Sequence, residues 1–194
     1  MSNGMRVETP RVLMVDDEKT VADAYALRLQ DVAEVSVVYE GRAALDAVSD
    51  DRVPDIVLLD RHMPKMSGDE VLERIREQEL QTRVIMVTAI DPDLGVLDMP
   101  FDDYLSKPVD RADLLAAVDQ QCQVLAYELL GEYFRLESTR AVVDARLPAT
   151  ESDDDGELAE LEARLAVVEE RIRTLLPEAD ELLSAFDGID RSEY

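Results

Sequence analysis

The stretch Arg11-Val-Leu-Met-Val-Asp-Asp17 sets an unbroken apolar run directly against two acids. The arrangement returns along the chain: Asp60 follows Ile56-Val-Leu-Leu59, Thr88 follows Val84-Ile-Met-Val87, and Lys107 follows Asp103-Tyr-Leu-Ser106. Strands buried on both faces of a parallel sheet read as continuous apolar runs. Open α/β sheets bind ligands beyond the carboxyl ends of their strands. The pattern therefore predicts that Asp16, Asp17, Asp60, Thr88 and Lys107 meet at one edge of one sheet.

Between these runs the sequence alternates strand and helix. A helix is expected over Lys19 to Gln30, with Val21, Ala24, Tyr25 and Leu29 on one face; a strand over Glu34 to Tyr39; and a helix over Gly41 to Ser49. Asp55 to Asp60 forms the central strand, and a loop through Pro64 and Gly68 leads to a helix over Glu70 to Glu77. Strands at Arg83 to Val87 and Tyr104-Leu105 follow, then a helix opening near Asp110. This succession predicts an α/β fold, a flavodoxin-like, doubly wound, five-stranded parallel sheet.

Three carboxylates crowded at one edge repel and need a counter-charge. A hard divalent cation such as Mg2+ takes oxygen ligands, and the Lys107 ammonium supplies a compact point charge. Such a site suits a phosphoryl group. A carboxylate there is a nucleophile toward phosphorus, forming an aspartyl-phosphate, and the Lys107 and Thr88 side chains would stabilise the transferring oxygens. Singly, each residue has a plainer explanation: an Asp pair caps or turns the chain, a threonine ends a strand, and a lysine lines a surface loop. Their joint order and spacing favour the common site.

Four segments carry a resemblance: Val15-Asp-Asp17, Leu59-Asp-Arg-His-Met-Pro-Lys-Met-Ser-Gly68, Val87-Thr-Ala89 and Tyr104-Leu-Ser-Lys-Pro108. Over roughly residues 10 to 125 the chain resembles the receiver domain of two-component response regulators. The resemblance implies that Asp60 is the phosphoacceptor, taking its phosphoryl group from a sensor histidine kinase or a phosphotransfer protein. It implies that Mg2+ is held by Asp17 directly, by Asp16 through water, by Asp60, and by the backbone carbonyl of His62. Lys107 would pair with the phosphate, and Thr88 and Tyr104 would be the switch residues. His62, the single histidine, is expected to point to solvent at the mouth of the site and to govern how fast water reaches the aspartyl-phosphate. Phosphohydrolases of the haloacid dehalogenase type carry an acid two residues after the nucleophile; here Asp60-Arg61-His62 has none, so a phosphoacceptor rather than an enzyme is expected.

One departure stands out. Lys107 follows Thr88 by only nineteen positions, and residues 91–101 contain two prolines and a glycine. Both residue types break helix interiors, so a full helix before the last strand is not expected, and the family's usual dimer surface cannot be carried over.

The chain has 20 basic and 45 acidic residues, a net charge of −25, and only three lysines, Lys19, Lys65 and Lys107. Self-repulsion of this size weakens a compact fold, and salt relieves it, because the screening length falls to about 3 Å at 1 M. The profile resembles proteins of salt-accumulating haloarchaea. Cys122 is the only cysteine, which excludes an internal disulfide and fits a reducing cytoplasm; it is expected in the core. No run approaches the ~18 apolar residues of a membrane span, and the first residues have no signal-peptide core.

After a flexible start over residues 1–9 and a receiver over 10–125, residues 126–194 form a helical output domain, with an acidic linker over 148–156. Ala112 to Arg146 is expected as one long or two abutting helices. Leu158, Leu161, Leu165, Val168, Ile172 and Leu175 then repeat at heptad spacing. Pro177 interrupts, and a last helical piece over Ala179 to Phe186 ends near Gly188. The stripe is expected to fold back as an intramolecular hairpin, with a homodimeric coiled coil as the alternative. The arrangement resembles the haloarchaeal receiver followed by a HalX domain. Residues 127–194 carry seven basic against nineteen acidic residues, so a protein target is favoured and direct DNA binding disfavoured, phosphate contacts being the source of most non-specific affinity.

Overall fold

The structure, a computed structural model, describes residues 9–49, 52–89, 98–146 and 155–187. The expectations for a flexible start over 1–9, for residues 91–101, for the linker over 148–156 and for a helix end near Gly188 fall wholly or largely outside these residues. The chain divides into two compact units, Met1–Leu125 and Ala126–Tyr194.

In the first unit β1 (Arg11–Val15), α1 (Lys19–Leu29), β2 (Glu34–Val38), α2 (Gly41–Val48), β3 (Ile56–Leu59), α3 (Gly68–Glu77), β4 (Arg83–Thr88) and β5 (Asp103–Ser106) alternate along the chain. The strands form one sheet in the order β2-β1-β3-β4-β5, with every neighbouring pair parallel. This is the doubly wound order expected from the sequence. All four residues of β3 are fully buried, because a central strand is covered on both faces. On one face Leu13, Val15, Val57, Leu59, Val84 and Met86 pack with Ala44, Leu45 and Val48 of α2 and Val71, Leu72 and Ile75 of α3. Side chains alternate along strands, so Val12, Met14, Ile56, Leu58, Ile85 and Val87, also buried, form the opposite face. At about 1.5–3 kcal/mol per fully buried aliphatic side chain, these two layers are the main stabilising term of the unit.

Helix α3 opens on a capping box: the Ser67 side chain accepts from Glu70 N, and the Glu70 carboxylate accepts from Ser67 N at 2.9 Å. The helix therefore starts two residues before the Glu70 expected from apolar spacing. Just beyond its end, Glu79 lies in the left-handed region at φ 52 and donates its N–H to the Arg76 carbonyl.

Helix α4 (Arg111–Arg146) is continuous, and the division between the units falls within it. Its Leu114, Val118, Cys122 and Leu125 are buried in the first unit. Burial pushes the Cys122 thiol up to about 12, so it stays protonated and serves as a small core residue. In the second unit Leu129, Leu130 and Tyr133 are buried together with Leu165, Val168, Ile172 and Leu175 of α5 (Asp155–Leu175) and Ala179 and Leu183 of α6 (Ala179–Asp187). Four residues of the heptad stripe are thus buried within a single chain, while Leu158 and Leu161 are only partly buried. Arg164 of α5 forms an ion pair with the buried Glu132 of α4, which ties the two helices as a hairpin.

Only glycine adopts the left-handed conformation without a Cβ penalty. Glu79→Gly is expected to raise unfolding stability by about 0.5–1 kcal/mol, the left-handed penalty of roughly 1–2 kcal/mol less glycine's larger entropy loss, read as a higher denaturant midpoint at unchanged slope.

Candidate functional site

The carboxyl edge of the sheet collects the residues singled out by sequence. Asp16 and Asp17 follow β1, Asp60 follows β3, Thr88 ends β4 and Lys107 follows β5. Oxygens of Asp16, Asp17 and Asp60 all lie within 4.8 Å of one another. Asp16 is fully buried, Asp60 is nearly so, and Asp17 is the solvent-accessible member.

Lys107 binds two of the three. Its Nζ donates to Asp16 Oδ2 at 2.7 Å and to Asp60 Oδ1 at 2.8 Å. The remaining oxygens are also used: Asp16 Oδ1 accepts from Glu18 N, and Asp60 Oδ2 accepts from His62 N, both at 2.9 Å. Burial pushes the Asp60 carboxyl above its usual range, against the opposing pull of Lys107. Burial also pulls on the Lys107 ammonium, but its hydrogen bonds to Asp16 and Asp60 outweigh this and raise it.

Lys107 is fixed from two sides. Its own N–H donates to the Thr88 carbonyl at 2.7 Å. Two residues on, Val109 N donates to the Tyr25 hydroxyl at 3.1 Å, and the Val109 carbonyl accepts from Arg28 at 2.5 Å. The Lys107–Pro108 peptide between these anchors is cis. The positioning roles of Tyr25 and Arg28 were not legible in the sequence, since spacing on α1 marks Tyr25 only as core.

The sheet does not bring every expected residue to the carboxylates. Thr88 is buried beside Lys107. Tyr104 lies two pairs lower, opposite Met86, and its partly buried ring packs against Phe101 at a centroid distance of 5.7 Å. The His62 side chain is exposed, while its backbone forms the loop directly after Asp60.

Gly68 is a further part of the site that sequence presented only as a loop residue. A Cβ there would stand 2.2 Å from the Asp60 carbonyl oxygen and 2.9 Å from Arg61 Cα, while Gly68 N donates to the Arg61 carbonyl at 2.9 Å. Arg61 in turn lies across both oxygens of Asp69, at 3.1 and 3.2 Å. The start of α3 is thereby pressed onto the backbone that carries Asp60.

Residues 12–119 match the family model for the response regulator receiver domain. The chain belongs to the response regulator receiver family. Residues 123–186 match the HalX domain, so the receiver is followed by a HalX-type helical unit. A putative transcriptional regulator of Haloferax volcanii is 41% identical over 159 residues, 81% of this chain and 27% of that protein. The transcriptional regulatory protein CutR of Streptomyces coelicolor is 41% identical over 112 residues, 56% of this chain and 51% of its own length. The chain thus spans between about a quarter and a half of these curated relatives. Among solved structures, the receiver domain of a putative Luxo repressor protein from Vibrio parahaemolyticus superposes with a TM-score of 0.58 at 28% identity, covering 62% of this chain and 95% of that one. A BeF3-activated DrrB receiver domain does so with a TM-score of 0.54 at 30% identity, covering 59% and 98%. Membership of this family points to a signalling phosphoacceptor rather than a conventional enzyme, and no helix of the described residues is long and apolar enough to cross a membrane.

Two outcomes follow from this geometry. Gly68→Ala should lower stability by about 1–3 kcal/mol, the usual cost of overpacking, because the nearest neighbours of the added methyl are backbone atoms that cannot swing aside. Asp60 binds its proton more tightly folded than unfolded, so its charged form opposes folding at neutral pH. Asp60→Asn should therefore raise the melting temperature of Mg2+-free protein at pH 7, with the gain shrinking as pH falls toward the ordinary aspartate range. An unchanged or lowered melting temperature at pH 7 would contradict it.

Proposed function

We propose that this protein is a two-component response regulator that accepts a phosphoryl group on Asp60 from a histidine kinase or phosphotransfer protein. The observation that carries the reading is the Lys107 ammonium held by both Asp16 and Asp60 inside a cluster of three carboxylates. The donor set fits Mg2+, since it consists of hard oxygens from several carboxylates in a small space. Asp17, Asp60 and the His62 carbonyl would hold the ion directly and Asp16 through water; bound there, it would neutralise charge on the phosphoryl oxygens.

The chain's own residues do the rest. An Asp60 carboxylate oxygen forms the new bond to phosphorus as the bond from phosphorus to the donor's imidazole nitrogen breaks, and the electron pair stays with the imidazole. Lys107 and the Thr88 hydroxyl stabilise the oxygens of the transferring group. Hydrolysis reverses the modification: water adds to phosphorus, phosphate leaves and the Asp60 carboxylate is restored. His62, exposed at the mouth, controls the access of that water. Thr88 moves toward the phosphoryl group and Tyr104 turns inward to fill the space it leaves, a shift in population set by the differential affinity of phosphate for the two arrangements.

The HalX unit passes the change on by contact with a protein target in the cytoplasm. The relatives' names favour control of transcription as the setting. Direct DNA binding is the second reading, supported by those names and opposed by the seven-to-nineteen balance of basic and acidic residues over 127–194.

Incubation with acetyl phosphate and Mg2+ in high salt should add one phosphoryl group to the wild type and none to Asp60→Asn, read by intact mass. No gain in folded wild type would overturn the reading. His62→Ala should change the half-life of the phosphoprotein several-fold; an unchanged half-life removes the role given to His62.

A further inference from the structure

Two of the three lysines have no part in the phosphoacceptor chemistry, yet both stand at the same edge of the sheet. Lys19 opens α1, two residues after Asp17, and Lys65 lies in the loop between Asp60 and α3. Both reach the same short turn between β2 and α2. The Lys19 ammonium sits over the Tyr39 ring, 5.1 Å from its centroid, and Lys65 Nζ donates to Glu40 Oε1 at 3.3 Å.

That turn is tied to both neighbouring loops by further contacts. The Tyr39 hydroxyl donates to Asp23 Oδ1 on α1 at 2.9 Å, and just before the turn the Val38 carbonyl accepts from Asp16 N at 3.3 Å. On the other side Gly41 is buried so closely against α3 and its loop that a Cβ would stand 2.8 Å from Val71 Cγ2 and 3.0 Å from Met66 Cγ. Lys65 makes its contact from a left-handed backbone, φ 68, a conformation that costs a non-glycine residue free energy. The turn's own carboxylate, Glu40, is outside the cluster formed by Asp16, Asp17 and Asp60.

We infer that Tyr39-Glu40-Gly41 is a brace that sets the spacing between the loop bearing Asp17 and the loop bearing Asp60 and His62, with Lys19 and Lys65 as its two clamps. Each clamp is weak alone, because an exposed cation–π contact and an exposed ion pair are both screened by solvent. They act together on loops that must hold their oxygens at a cation's ligand distances, where small displacements weaken binding. Lys19 and Lys65 are positioning residues, and the inference rests on the proposed Mg2+ site.

The sign of one measurement separates this role from simple charge. Removing two cations beside an acidic site makes it more attractive to Mg2+ through space, whereas loosening a brace makes it less so. The Mg2+ dissociation constant is measured by titration calorimetry for the wild type, Lys19→Gln/Lys65→Gln, Lys19→Arg/Lys65→Arg and Asp17→Asn. KCl at about 1 M keeps the screening length near 3 Å. The brace predicts binding about three- to tenfold weaker in the glutamine variant, substantially restored in the arginine variant. In the acetyl phosphate reaction it predicts a matching rise in the Mg2+ concentration for half-maximal rate, with the maximal rate retained. Mg2+ binding as tight as in the wild type, or tighter, in a glutamine variant with an unchanged circular dichroism spectrum would overturn the brace while leaving the site intact. Wild type that binds Mg2+ no better than Asp17→Asn would overturn the site reading and the brace with it.

Discussion

The ion contact of Lys107 with Asp16 and Asp60 is the constraint around which the first unit is arranged. Two nearly buried carboxylates from different strands cannot both remain charged in a small space without a cation between them. The ammonium that meets them comes from the far edge strand, across the intervening β4. To deliver it, β5 must keep its register with β4, and the segment after β5 must be held down. The hydrogen bond from Lys107 N to Thr88 does the first, and the grip of Tyr25 and Arg28 on Val109 does the second. Burial opposes both charges, which is why Asp60 is raised even with a lysine against it.

The backbone serves the same end. Gly68 lets α3 approach the Asp60 carbonyl, and Gly41 lets α2 approach the start of α3. Neighbouring loops along the carboxyl edge therefore pack closely, the start of α2 against the Met66 and Val71 side chains and the start of α3 against the Asp60 and Arg61 backbone. At the opposite edge, Asp102 accepts from Arg76 at 2.5 Å and from Val84 N at 2.6 Å and pairs with Arg83 at 3.2 Å. Those bonds tie the end of α3 to the beginning of β4 and β5. The carboxyl edge is thus built on packed loops and one shared ammonium, the amino edge on arginine contacts.

The second unit follows a simpler rule. Its acidity is carried on outward positions of α5 and α6, while Leu165, Val168, Ile172 and Leu175 are turned inward. On α4, Glu132 is buried and pairs with Arg164 of α5. A buried carboxylate paired with Arg164 favours the placement of α5 along α4 that keeps the pair together, since breaking a buried ion pair is costly.

The sequence by itself determined the sheet, its order and the identity of the residues at its carboxyl edge. A buried parallel strand has no choice but to be apolar throughout, and the polar residue that ends it marks where the sheet meets solvent. Asp16, Asp17, Asp60, Thr88 and Lys107 were legible for that reason, and Ser67-x-x-Glu70 carried a capping signal that apolar spacing alone passed over. Tertiary structure decided which Lys107 contacts form, that Tyr104 packs on Phe101 below the site, that Tyr25 and Arg28 hold the Lys107 segment, and that Gly41 and Gly68 are close approaches rather than loose turns. It also decided that Leu165, Val168, Ile172 and Leu175 of the heptad stripe are buried within one chain. Most of these depend on residues tens of positions apart meeting at a few ångströms, and a periodic pattern in one segment records which face is apolar without recording what covers it.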